Sequence, residues 1–178
     1  MKSWREYIKP VLVLLAIAAV SAFLLAEVDH LTAPIISENV RESTYKVYYE
    51  VLPEADSFTQ LPCEIDGVTA VLKADNGAGY VITAQSRGYG GQVPAAVSFD
   101  DSGNIIRVVM MDNSETPGLG QKVTLPSFYE QFSGKKADKL TLDGIDAVSG
   151  ATISSRASVS AINLAMEAYK TVTGGNAS

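Results

Sequence analysis

The uncharged run VLVLLAIAAVSAFLLA, Val11 to Ala26, constrains this chain more than any other feature. With Tyr7, Ile8 and Val28 the largely apolar stretch reaches about 22 residues. At ~1.5 Å per residue a helix of that length measures about 33 Å, enough to cross a hydrocarbon core of about 30 Å. Lys2, Arg5 and Lys9 precede the run, and Glu27 and Asp29 follow it. The positive-inside rule therefore predicts a cytoplasmic N-terminus and an exported remainder, in a single pass through the cell (inner) membrane. Trp4 and Tyr7 are expected at the inner interface. A cleaved signal peptide ending at Val20-Ser21-Ala22 is the competing reading. The apolar run continues past that point through Phe23, Leu24 and Leu25, which favours an anchor in the lipid bilayer.

The rest of the 178-residue chain, 47% hydrophobic overall, is long enough for one globular domain. Lys2, Arg5 and Lys9 against Glu6 give the first 26 residues +2, so the remainder carries −8 of the total of −6. An acidic body without basic clusters repels phosphate backbones, which argues against nucleic acid as a partner. Cys63 and His30 are the single cysteine and histidine. They provide neither an internal disulfide nor a zinc or iron–sulfur ligand set. Redox or transfer chemistry in such a chain needs a borrowed cofactor.

Hydrophobic periodicity predicts an α+β fold: an N-terminal transmembrane helix, then one exported domain with an antiparallel sheet and flanking helices. Ile36, Val40, Val47 and Val51 recur at helical spacing, so residues 31–51 are expected to form a separate amphipathic helix. Thr32 is the expected cap and Pro34 falls in the first turn. Four β-branched segments follow, within residues 65–74, 76–86, 95–99 and 104–111, separated by turn signals. A short helix is predicted over LPSFYEQF (125–132), a strand-like segment over DKLTL (138–142), and a helix from about Thr152 to Val172. Val159, Ile162, Ala165, Met166 and Tyr169 form an apolar stripe on that last helix, which reads as core. The expected divisions are 1–29 (stub and anchor), 30–55 (connecting helix) and 56–178 (exported domain).

Three polar segments stand out. ETPGLG, Glu115 to Gly120, centres on Pro117-Gly118, the favoured central pair of a type II turn, and glycines let a backbone approach a ligand closely. An ordinary loop is the alternative. GYGGQV, Gly88 to Val93, reads as a hairpin loop in which Tyr89 can line a pocket. DAVSGATISS, Asp146 to Ser155, carries more hydroxyls than helix capping needs. Ser149 or Thr152 is the expected cap, and the first amides of the helix suit an anion. No histidine in the motif can activate Thr152 as a nucleophile, and GATISS lacks the Gly-x-Ser-x-Gly elbow, so a self-contained hydrolase is not expected.

Asp146-Ala147-Val148-Ser149-Gly150-Ala151-Thr152 resembles the D-x-x-[ST]-G-A-T signature of the FMN-binding domain family of exported bacterial proteins, in which FMN is attached through its phosphate to the final threonine. GYGG and ETPGLG stand in the same order in that family, and the short basic-flanked anchor followed by Thr32, Pro34 and Ile35 is also similar. Among its members, the compact layout is most similar to the G subunits of Rnf ion-translocating complexes. The related C subunits of sodium-translocating NADH–quinone reductases typically carry an insertion absent here.

The resemblance implies a covalent FMN on Thr152, with Asp146, Ser149, Gly150 and Ala151 recognised by a flavin transferase that takes the FMN moiety from FAD with magnesium. It implies that Thr116 and Leu119 of ETPGLG meet the isoalloxazine ring, with Gly118 and Gly120 lining the cofactor site in the same loop. Glu115 is expected to order that loop, and Lys122 to offset flavin or phosphate charge. The implied function is electron transfer within an ion-translocating oxidoreductase coupling ferredoxin and NAD chemistry to ion transport. Its implied partners are the other membrane and redox subunits, with no complete active site in this chain. An anchored, non-redox binding or assembly module and a self-contained extracytoplasmic flavin reductase are the alternatives from other classes.

Overall fold

The structure, a computed structural model, describes residues 4–136 and 138–174. Lys2 lies outside them, as do the side chains of Trp4, Arg5, Tyr7, Pro34, Ile35 and Ile36. Two compact units divide the chain, Met1–Thr44 and Tyr45–Ser178.

Helix α1, Trp4–Val51, runs without interruption through both predicted N-terminal helices. The helix start expected at Thr32 is therefore absent. Thr32 sits inside α1, and its Oγ1 donates to the Val28 carbonyl at 2.9 Å, a bond that returns the hydroxyl to its own helix instead of capping a new one. Within α1, Ile8–Ala33 is long and apolar enough to cross a membrane. The expected stripe is only partly an inward face: Val51 is buried and Val47 half-buried, whereas Val40 is exposed.

The second unit contains a five-stranded antiparallel meander in the order β1-β2-β3-β4-β5: β1 Phe58–Gln60, β2 Val68–Ala74, β3 Tyr80–Arg87, β4 Gln92–Phe99 and β5 Ile105–Met110. The four predicted strands correspond to β2–β5. Strand β1 is an addition, only three residues long, paired with the end of β2 through Phe58–Ala74 and Gln60–Leu72. Both faces of the sheet are covered, so neighbouring Val81 and Ile82 in β3 are each fully buried. One face, carrying Ile82, Ala84, Val97 and Phe99, packs in the main core with Val159, Ile162, Ala165, Met166 and Tyr169. The opposite face packs Leu72, Val81, Ala96 and Val109 with Tyr48, Val51 and Leu52 from the end of α1 and just beyond. Burial on both sides replaces strict alternation by continuous apolar runs. Two bonds fix the end of α1 to the sheet: Ser98 Oγ donates to the Val51 carbonyl (2.7 Å) and Arg107 Nη1 to that of Glu50 (2.6 Å).

After the sheet, a 3₁₀ turn (Gly120–Thr124) leads into the short helix α2, Pro126–Tyr129, and a second 3₁₀ turn, Glu130–Phe132. Helix α2 and the second 3₁₀ turn together occupy the predicted LPSFYEQF helix. DKLTL forms no strand. Leu140 is held instead by Asn163, whose Oδ1 accepts from the Leu140 amide at 2.8 Å and whose Nδ2 donates to its carbonyl at 2.9 Å, satisfying the backbone without a neighbouring strand. Helix α3 spans Thr152–Val172.

Candidate functional site

Three loops converge at the start of α3. The first, 88–91, closes the β3–β4 hairpin with the Gly88 amide donating to the Gly91 carbonyl at 2.8 Å. The second is ETPGLG, where the Leu119 amide donates to the Thr116 carbonyl at 3.1 Å and Gly118 has φ +72°. That is the i→i+3 bond and the positive third-position φ of the type II turn expected from Pro117-Gly118. The third is Val148-Ser149-Gly150-Ala151, tied by the Ala151 amide to the Val148 carbonyl at 2.9 Å, with Gly150 at φ +77°.

Between them lies a cavity of about 420 Å³ lined by Tyr89, Glu115, Thr116, Leu119, Gly120, Gly150, Ala151, Thr152, Ile153 and Ser154. The structure thus brings together eight of the twelve sequence-predicted positions. Gly118, Lys122, Asp146 and Ser149 are exposed and do not line it. Lys122 sits on the 3₁₀ turn. Asp146 is held through its backbone, its amide donating to Gln131 Oε1 at 2.9 Å. A second hollow of about 480 Å³ near Lys139 and Lys170 is lined by residues from Asn163 onward on α3. It is separated from Thr152 by more than two helical turns, at about 3.6 residues per turn, and none of the predicted positions lines it.

Neither expected cap is used. Ala151 stands at the N-cap of α3 with no side-chain hydrogen bond. Ser155 does the local work instead, its Oγ accepting from the Val148 amide (3.0 Å) and donating to the Ala151 carbonyl (3.1 Å). Ser154 and Ser155 are buried, whereas Thr152 is exposed. The first turn of α3 therefore keeps amides without a side-chain acceptor beside an accessible hydroxyl, a combination suited to a phosphate. Tyr89 (71% exposed), Ile153 (53%) and Leu119 (41%) supply exposed apolar surface around the same cavity. Its volume falls within the range of about 300–1,000 Å³ usual for small-molecule sites. Ile153, which directly follows Thr152, is a lining residue that no motif marks.

Glu115 is 2% exposed and occupied on both oxygens. Oε1 accepts from the amides of Gly90 (2.8 Å) and Gly91 (3.3 Å), and Oε2 accepts from Ser154 Oγ. This explains two glycines: a Cβ at Gly88 would lie 2.5 Å from Oε1, and one at Gly120 2.9 Å from Oε2. Burial pushes the Glu115 pKa up, but the Ser154 hydroxyl and the backbone amides of Gly90, Tyr89 and Gly91 outweigh it, so the carboxyl titrates below its ordinary value. A lowered folded pKa adds stability above the unfolded value of 4.5, and that stability is lost as pH falls through the folded value. Glu115→Gln is expected to cost about 2 kcal/mol at neutral pH, as loss of hydrogen bonds to a charged group does. Denaturant titrations should show that difference shrinking below about pH 4.5; a pH-independent difference would contradict this account.

Residues 88–167 match the FMN-binding domain family. The chain is 32% identical to the G subunit of the proton-translocating ferredoxin:NAD(+) oxidoreductase complex of Clostridium ljungdahlii, over 88% of each chain. It is 36% identical to the G subunit of the ion-translocating oxidoreductase complex of Methanosarcina acetivorans, over 94% of this chain and 96% of that one. The chain belongs to the family of G subunits of ion-translocating oxidoreductase complexes. The convergence of Gly88–Gly91, ETPGLG and the start of α3 lies wholly inside its FMN-binding domain. The C subunit of the sodium-translocating NADH–quinone reductase of Parabacteroides distasonis aligns at 24% identity and a TM-score of 0.49, over 60% of this chain and 61% of that one.

Proposed function

We propose that this subunit carries electrons within an Rnf-type complex, holding FMN through a phosphoester to Thr152, and couples with its partner subunits ferredoxin and NAD chemistry to ion movement. The observation that carries the reading is the exposed Thr152 hydroxyl at the uncapped start of α3, on the wall of the cavity inside the FMN-binding domain. Bound FMN would supply the redox chemistry that the side chains lack. The first-turn amides of α3 would meet its phosphate, while Tyr89, Leu119 and Ile153 would flank the ring.

Attachment needs an outside enzyme. The Thr152 oxygen forms a bond to the FMN-side phosphorus of FAD, the pyrophosphate bond breaks, AMP leaves, and the threonine proton passes to a base of the flavin transferase. Asp146 and Ser149 are exposed and outside the cavity, which suits recognition by that enzyme better than contact with flavin. Ferredoxin-dependent reduction of NAD by membranes lacking this subunit should recover when wild type is restored, and should not recover with Thr152→Ala. Equal recovery by both would overturn the reading.

The charge bias around Ile8–Ala33 supports a cytoplasmic N-terminus and an extracytoplasmic FMN-binding domain. Cys63, the sole cysteine and half-buried, is a native reporter of that orientation. A membrane-impermeant maleimide should label it from the outer side of spheroplasts. Labelling only after permeabilisation would reverse the topology.

A further inference from the structure

Glu115 lines the cavity, yet its geometry is that of a fastener. Both carboxylate oxygens already accept hydrogen bonds from the protein, from Gly90 and Gly91 on one element and Ser154 on another. The residue itself belongs to the third, ETPGLG. Backbone is packed around it so closely that side chains at Gly88 and Gly120 would collide with the carboxylate. A Cβ at Gly90 would overlap the Ser114 carbonyl oxygen, so the hairpin loop and the segment entering ETPGLG also touch directly. Ser154 is equally committed: its hydroxyl goes to Glu115, and its carbonyl accepts from Ser158 Oγ at 2.9 Å. Both residues are 2% exposed. A carboxylate with this many internal donors is satisfied without a ligand.

We propose that Glu115 and Ser154 form a positioning clamp that holds the hairpin loop, ETPGLG and the first turn of α3 together, and so presents Thr152 to the flavin transferase. This rests on Thr152 being the attachment point. Neither residue is assigned to flavin contact: Glu115 acts through Ser154, two positions along the helix from the reacting hydroxyl. The Ser154 hydroxyl, committed to Glu115, is thereby unavailable to a phosphate.

The test uses the full chain in detergent with purified transferase, FAD and magnesium. Ser154→Ala removes one hydrogen bond and is expected to fold. Its loading kcat should fall roughly tenfold, as misplacement of a reacting group does, with the KM for the protein substrate unchanged. A variant that was only less folded would instead raise that apparent KM. Glu115→Gln keeps an oxygen for Gly90 and should retain an intermediate rate. Hydrogen exchange before flavin addition gives an independent readout: Ser154→Ala should speed exchange of the Gly90 and Gly91 amides, which lie on a different element.

Wild-type loading at the same kcat as Ser154→Ala overturns the clamp alone. Unchanged exchange at Gly90 and Gly91 also overturns it, since the hairpin would then be held without Ser154. A wild type that takes up no flavin overturns the Thr152 reading and the clamp's role in loading with it, an outcome separable from the other two.

Discussion

Thr152→Ala should abolish covalent flavin while leaving the domain folded. Wild type co-expressed with a flavin transferase is expected to fluoresce on a denaturing gel and to gain the mass of one FMN moiety; the variant should do neither. The expectation of a silent fold comes from the surroundings of Thr152: it is exposed, α3 starts without a side-chain cap, and Ser155 holds the Val148–Ala151 turn. Replacing an exposed threonine in a first turn by alanine changes stability by less than about 0.5 kcal/mol. Thr152→Ser keeps the hydroxyl and should still load. Flavin remaining on Thr152→Ala would move the attachment elsewhere in the chain, and no flavin on wild type would remove the covalent linkage altogether. The mass readout is independent of whether the complex turns over.

The motif around Thr152 was legible because its information is sequential: seven consecutive residues, followed by a periodic helix. The sheet was legible for a related reason. Strands β2 to β5 are six to eight residues of mostly β-branched or small apolar side chains bounded by turns, and such runs declare themselves. Strand β1 is three residues, none buried, and exists only through its pairing with β2, so no local pattern marks it.

The same distinction explains the misplaced helix start at Thr32. A threonine followed by Pro34 is a good capping signal locally, but an apolar segment N-terminal to it was already helical, and each further turn of an existing helix is easier to add than a new nucleus. What no local pattern shows is the Glu115–Ser154 contact, made across 39 residues. GYGG reads locally as no more than a hairpin loop for the same reason: the carboxylate its amides enclose comes 25 residues later in the chain.

Tyr169→Ala should be the most damaging single truncation near the far end of α3, costing about 4 kcal/mol, in the range for large-to-small changes of buried aromatic residues. Its ring is 1% exposed, stacks on Phe99 with centroids 4.8 Å apart and meets Tyr80 edge-on at 5.5 Å. Its hydroxyl donates to the Asp100 carbonyl at 2.9 Å, joining α3 to the β4–β5 turn. Tyr169→Phe isolates that one bond and should cost only about 1 kcal/mol. Urea titration of the two variants separates packing from hydrogen bonding; equal costs would mean that the hydroxyl, not the ring, anchors the helix. The consequence for the site follows from the helix being one rigid rod between its ends. Tyr169 lies 17 positions beyond Thr152, about 26 Å along the axis, and Glu115 with Ser154 fixes the opposite end. Tyr169→Ala should therefore slow flavin loading only through the folded fraction, raising the apparent KM for the protein substrate while kcat holds, the reverse of the pattern expected from Ser154→Ala.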